Sequence, residues 1–369
     1  MEITRFFEYM VAQGASDLFL KTNSRPAMRV DGKIKFIADI PLTEQNLWDA
    51  FEKLLDETCK ANFEEFGGAD FSLNLPNIGR FRANVFRHMS QHGMVFRHVQ
   101  SKIPSFEDLN LPVPSMQKLA NLSRGLVLAT GIAGSGKSTS LASMLEYINE
   151  HHPKHIVTVE DPIEYVFREK SSIFSQREVG IDAESFMAAL KHAMRQSPDV
   201  ILIGEMRDKE TVEAAITAAE TGHLVFSTLH TLNAVQTVER IVMFFPPYQH
   251  PMLRQQLAMV LEGVISIRLL RKKTGKGRVP AIELLLSTPT IKEILSEGRT
   301  LEMAKALENG TSQYGTVTFN QSLQSLYEKD LVTMEDIMAA SDNPDELKMR
   351  LGGILKTTRD PRAIATKKV

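Results

Sequence analysis

One stretch of this chain narrows its possible folds more than any other: Gly131-Ile132-Ala133-Gly134-Ser135-Gly136-Lys137-Ser138. It fits the pattern G-x-x-x-x-G-K-[ST], and its surroundings are those that give the pattern meaning. The apolar run Leu126-Val127-Leu128-Ala129 precedes it, and residues 141–148 continue with helical spacing. Glycines let a backbone wrap closely around phosphates so that successive N–H groups point inward. The start of the following helix adds its partial positive charge. ATP is the expected ligand, contacted by Gly131, Ile132, Ala133, Gly134, Ser135, Gly136, Lys137, Ser138 and Thr139. Lys137 is placed to meet the β- and γ-phosphates, and Ser138 to ligate Mg²⁺. From Gly125 onward strand, glycine loop, helix, strand, helix and strand alternate, which argues for an α/β domain with a mainly parallel sheet.

Binding needs little more than this loop, whereas hydrolysis needs a base or water-positioning group and an acid near the metal. Three later strand ends offer candidates. The β-branched run His155-Ile156-Val157-Thr158-Val159 is followed at once by Glu160-Asp161-Pro162-Ile163-Glu164. Acids at the C-terminal end of a strand stand where open α/β sheets place their sites. Residues 200–203 form the next apolar strand and end in Gly204-Glu205. This resembles a Walker B element, with glycine where an acid usually precedes the glutamate. Glu205 would support the Mg²⁺ shell or orient water. The third stretch is Thr221-Gly222-His223-Leu224-Val225-Phe226-Ser227-Thr228-Leu229-His230, a buried strand with a histidine near each end. His230 is the better placed to sense the γ-phosphate, and His223 is the second candidate.

The remainder organises around this core. At 369 residues the chain is too long for one ordinary domain. Residues 1–100 read as a small α+β domain: an amphipathic opening helix, strands at 16–20 and 28–30, and a hairpin at Asp31-Gly32. A helix capped by Thr43 and strands at 70–75, 80–87 and 94–99 complete it. Pro104, Pro112 and Pro114 mark a linker over 101–120, and the ATPase core spans 121–287. Residues 288–357 read as helical, with a capping box expected at Thr290 to Glu293 and a further helix from Pro344. Residues 358–369 are expected to be a tail. A net charge of -2 gives no basic footprint for nucleic acid. The lone Cys59 allows neither an internal disulfide nor a cysteine zinc site. No run is long enough to insert in a membrane, so a cytoplasmic protein that docks peripherally is expected.

With these four motifs in order, the chain resembles the secretion-superfamily hexameric ATPases of the type IV pilus retraction branch, the PilT/PilU family. The likeness runs from about residue 2 to residue 340 and includes Gly14-Ala15-Ser16-Asp17 and Arg29-Val30-Asp31-Gly32. It implies a PAS-like N-terminal domain, a RecA-like P-loop domain and a helical C-terminal region. It also implies a catalytic role for Glu164 in polarising water, the Walker B role for Glu205, and a coupling role for His230. Arginines of an adjacent subunit's N-terminal domain would complete the site, with Arg82, Arg97 and Arg80 as candidates. Ile132 and Ala133 depart from the Pro-Thr usual in the family's loop, and Ser341 to Leu351 resembles the PilU branch more than the PilT branch. The implied setting is a homo-hexamer at the inner-membrane base of the pilus machine. There it would meet a PilT-type ring and the platform protein, without nucleic acid. The rivals are the PilT branch itself, an extension or type II secretion ATPase, and an ATP-binding scaffold with little turnover. A four-cysteine metal element is usual in the extension and secretion enzymes, and a start within the PAS-like domain also counts against them.

Overall fold

The computed structural model describes residues 3–30, 32–99, 102–275 and 277–352. The chain divides into two units, residues 1–102 with 164–166, and residues 103–163 with 167–369.

In the first unit, α1 (Ile3–Ala12) buries Ile3, Phe7 and Met10, the spacing of a single helical face. Next come β1 (Asp17–Lys21), β2 (Ala27–Val30) and β3 (Lys33–Phe36), then α2 (Glu44–Leu54) and α3 (Glu57–Phe66). The unit closes with β4 (Gly68–Leu75), β5 (Gly79–His88) and β6 (Gln91–Val99). Thr43 does cap α2, in a reciprocal box with Asn46. Of the expected hairpin turn, Asp31 lies outside the described residues. The strands form one antiparallel sheet in the order β3-β2-β1-β6-β5-β4. Phe7, Phe63, Phe81 and Phe96 fill its core, and the Phe7 ring lies 4.7 Å from that of Phe81.

The second unit begins with α4 (Val113–Ala120), then β7 (Gly125–Thr130), α5 (Lys137–His151), β8 (His155–Glu160) and β9 (Ile173–Glu178). It continues with α6 (Phe186–Ala193), β10 (Val200–Ile203), α7 (Lys209–Glu220), β11 (Leu224–Leu229), α8 (Ala234–Met243) and α9 (His250–Val260). The long strands β12 (Leu261–Arg271) and β13 (Arg278–Leu286) follow, and then α10 (Pro289–Glu297), α11 (Met303–Asn309), α12 (Thr311–Tyr314), α13 (Phe319–Glu328), α14 (Met334–Ala340) and α15 (Pro344–Leu351). A seven-stranded sheet has the order β13-β12-β7-β11-β10-β8-β9. Only the β12–β13 pair is antiparallel; the other pairs run parallel. All residues of β7, β10 and β11 are buried, as strands covered on both faces must be.

The apolar faces of α7, α8, α9 and α10 join this sheet in one core. A second cluster packs Leu270, Val279 and Ala281 of β12 and β13 against Phe319, Leu323, Ile337 and Leu347 of the terminal helices. The capping box expected at Thr290 is displaced. Thr288 is the cap, its side chain accepts from Ile291 N, and Pro289 opens α10. Proline suits that first position because its missing N–H would be unpaired there anyway. Residues 353–369, including the expected tail, lie outside the described residues.

Candidate nucleotide site

The glycine loop leaves β7 in the middle of the sheet and turns into α5. Gly131 has φ +142°, and a Cβ there would sit 2.5 Å from both Ile267 O and Ser135 Oγ, so no side chain fits. Gly136, the residue before α5, has φ +99° and open space where a Cβ would stand. The N-terminal amides of α5 are thus left uncovered at the loop, the arrangement that favours an anion. Ser135 Oγ is buried with no hydrogen-bond partner, a polar atom suited to a phosphate oxygen. Lys137, the first residue of α5, is buried, and its Nζ donates to Gly131 O at 2.9 Å and Ile132 O at 3.1 Å.

The acid at the end of β10 is held by main chain on both sides. Gly204 N donates to Val159 O on β8 at 2.8 Å, and Met206 N donates to Thr228 O on β11 at 3.1 Å. Thr228 Oγ1 also donates to Gly204 O at 2.7 Å. A Cβ on Gly204 would lie 3.2 Å from Val159 O and 3.3 Å from Glu160 Cα. Glycine therefore stands before Glu205 because β8 passes too close for a larger residue.

From here a run of polar groups reaches the loop. Glu205 Oε1 lies 3.3 Å from His230 Nε2, and His230 Nδ1 lies 3.4 Å from Lys137 Nζ. An ammonium only donates, so Nδ1 is assigned as acceptor and Nε2 carries the proton offered to Glu205. On its other side Glu205 Oε2 accepts from Arg207 Nε at 2.9 Å, and Arg207 Nη1 stands 3.6 Å from Asp161 Oδ2. Lys137, Glu205 and His230, singled out on three separate segments, therefore meet, joined by Asp161 from the acidic cluster. Arg207 was not among the sequence candidates. Its only signal was its place two residues after the acid.

Glu160 is buried and accepts from Thr158 Oγ1 at 2.7 Å. Glu164 falls with the first unit. His223 sits at the opposite end of β11 from His230, about 20 Å along a strand of that length. Its Nδ1 contacts Ala218 O at 2.9 Å, at the last turn of α7. The structure does not bring it to Lys137.

In the first unit, Arg82 on β5 lies directly opposite Arg97 on β6, Arg97 lies opposite Asp17 on β1, and Asp17 lies opposite Arg29 on β2. Asp17, buried, joins two of the three arginines: Oδ1 accepts from Arg97 Nε at 2.9 Å and Oδ2 from Arg29 Nε at 3.1 Å. Arg80 shares the face of Arg82 by strand period.

A glycine cradle after an interior strand, a buried lysine and an acid at the end of the next strand but one define a P-loop nucleotide-binding protein of the open α/β type. Comparison with known proteins places it further. Residues 2–350 match the family described as Type II/IV secretion system protein. The Type IV pilus ATPase PilU of Pseudomonas aeruginosa is 39% identical over 95% of this chain and 91% of its own. The Type IV pilus retractation ATPase PilT of the same organism is 41% identical over 94% of this chain and 99% of its own. The crystal structure of the pilus retraction motor PilT with bound ADP superposes with a TM-score of 0.87 at 44% identity, over 94% of this chain and 99% of that one. The chain belongs to the Type II/IV secretion system protein family. No described helix is long and apolar enough to cross a membrane.

Proposed function

We propose that this chain is a motor that hydrolyses ATP to power type IV pilus retraction, as the PilU-type accessory ATPase working with a PilT-type ring. The contact run Lys137–His230–Glu205 is the observation that carries this reading, because it links the phosphate loop to an acid through a group able to shift between them. In this reading the loop 131–139 binds the polyphosphate and Lys137 meets its terminal phosphates. Glu205 orients water or the metal's hydration shell, and Glu164 polarises the attacking water. Arg207 fixes the rotation of the Glu205 carboxylate. His223 holds the end of α7 and takes no part in the reaction.

Mg²⁺ suits the donor chemistry, since Ser138 Oγ and the Glu205 carboxylate are both oxygen donors. When bound with ATP it neutralises phosphate charge. Six copies in a ring would bring Arg82, Arg97 and Arg80 of one subunit to the nucleotide of the next, where a guanidinium stabilises developing charge. The ring would sit in the cytoplasm against the platform protein at the base of the pilus. The PilU likeness rests on residues 341–351 and on a departure from the PilT branch at residues 288–295, and a PilT-type motor that retracts alone is the second reading.

The test measures steady-state ATP hydrolysis of wild type and Glu164→Gln, with particle mass from light scattering. Wild-type turnover by a ring-sized particle, lowered on the order of a hundredfold in the variant while nucleotide binding survives, is the expected result. Equal rates in the two proteins would remove Glu164 from the mechanism. Restoration of twitching by this chain only in cells that also hold a PilT-type ATPase would select the accessory role.

A further inference from the structure

Among the carboxylates that the site description leaves unused, one is half-buried beside the sheet. Glu283 lies on β13, two strands away from the loop-bearing β7, in a row that the sheet register fixes. Thr130, the last residue of β7, faces Ser266 on β12, and Ser266 faces Glu283 on β13. Thr130 Oγ1 donates to Ser266 Oγ at 2.9 Å, and both residues are fully buried. Glu283 Oε1 accepts the first amide of α8, Ala234 N, at 2.8 Å.

That amide ends the turn that starts at His230. Within the turn, Thr231 Oγ1 pairs with Thr237 Oγ1 at 2.7 Å, and Asn233 caps α8 through Gln236 N at 2.9 Å. The turn is therefore fastened to α8, and at its end α8 is fastened to the sheet by Glu283. On the same face, diagonal to Glu283, Arg268 of β12 donates to Ala340 O at 2.6 Å and to Asp342 Oδ2 at 2.7 Å. Its guanidinium also lies 3.9 Å over the Phe319 ring.

We propose that Glu283 is a positioning residue for the ATPase reaction: it holds the start of α8, and through the turn 230–233 sets His230 between Lys137 and Glu205, with Arg268 tying it to the segment 340–342. The proposal deepens the motor reading and rests on it. A negative carboxylate at a helix N-terminus interacts with the helix dipole and with the amide more strongly than a neutral one. The charge on Glu283 should therefore matter as well as its shape. Burial pushes its carboxyl up to about 7, opposed by the amide of Ala234 and by Arg268, and assisted by Asp342. Arg268 and Asp342 are the charged groups that act on it.

The test follows kcat and KM of the full-length chain between about pH 5 and pH 9 for wild type, Glu283→Gln and Asp342→Asn, beside the Kd of a fluorescent ADP analogue. In wild type kcat should rise about tenfold through an acid limb near pH 7. Glu283→Gln keeps an acceptor for Ala234 without the charge. It should stay on the low plateau at every pH, with Kd changed less than about twofold. Asp342→Asn, an exposed change on the far side of Arg268, should move the limb to lower pH by removing a negative neighbour. A Glu283→Gln profile that keeps the wild-type limb overturns the proposal, as does an Asp342→Asn limb that does not move. Parallel loss of kcat and nucleotide affinity in Glu283→Gln at all pH values would mark a structural role only. If Glu283→Gln does not fold, the Asp342→Asn limb decides. Loss of turnover in Glu164→Gln checks the motor reading separately.

Discussion

Gly204→Ala gives the sharpest check on how the acid at the end of β10 is placed. The new methyl carbon would meet Val159 O at 3.2 Å, Glu160 Cα at 3.3 Å and Phe186 Cε1 at 3.6 Å. Two of these are main-chain atoms of β8, pinned by the β8–β10 ladder and by the Gly204 N to Val159 O bond of 2.8 Å. They cannot swing aside as a side-chain tip would, so β10 must move by a few tenths of an ångström. Overpacking of this kind costs about 1–3 kcal/mol. The backbone of Gly204 is outside the left-handed region, so alanine recovers about 0.4–1 kcal/mol from the unfolded chain. The net destabilisation is then roughly 0–2.6 kcal/mol, a fall of up to about 10 °C in Tm for a unit of this size.

The effect on catalysis should exceed the effect on stability. Glu205 is the next residue, and its contacts with His230 at 3.3 Å and Arg207 at 2.9 Å tolerate little displacement. A loss of about tenfold to a hundredfold in kcat is expected, with KM for ATP nearly unchanged because the loop is untouched. Gly204→Asp, which inserts an acid where related motifs often have one, should cost on the order of 3 kcal/mol or more, since its carboxylate would face Val159 O without a donor. Thermal melting and steady-state kinetics on the three proteins suffice. If Gly204→Ala melts with wild type and keeps its kcat, the close passage of β8 is not the reason for glycine.

Two further outcomes follow from single residues. Burial, reinforced by Asp56, pushes the Cys59 thiol up to about 11, so its alkylation at pH 8 should run about a hundredfold slower than that of an unperturbed thiol; labelling at the ordinary rate would refute this. Glu283 holds its proton to a pH above the unfolded value of 4.5, so the folded state binds the extra proton between 4.5 and about 7, and stability falls as pH rises through that window. The loss is at most ~3 kcal/mol, and denaturant unfolding of Glu283→Gln should lack that slope.

How much of this was legible from residue order differs by element. The loop, β7, β10, β11 and the start of α15 announce themselves because their signals are local: an apolar run, a glycine pattern, a proline at the first helical turn. β9 gave no such signal. Ile173 is exposed, the four residues after it are half-buried without alternation, and only parallel pairing with β8 makes the segment a strand. The start of α10 was misplaced for the opposite reason. Two threonines each offered a cap, and Pro289 between them settled the choice in favour of Thr288. The meeting of Lys137, His230 and Glu205 was foreseeable in outline, since all three flank the C-terminal ends of parallel strands. The partnerships of Arg207, Asp17 and Glu283 were not. They depend on which strands become neighbours, and composition is silent about that.

The two ways in which the site is fastened give it unequal compliance. Glu205 sits between main-chain bonds to β8 and β11, so it moves only if the sheet does. His230 begins a turn secured mainly by side chains, Thr231 to Thr237, Gln236 to Leu232 and Glu283 to Ala234. A mechanical load on this unit would therefore draw the histidine away first and leave the acid in place. The 3.3 Å contact between them has one rigid face and one sprung face, and its parting would also release the 3.4 Å contact of His230 with Lys137 in the phosphate cradle.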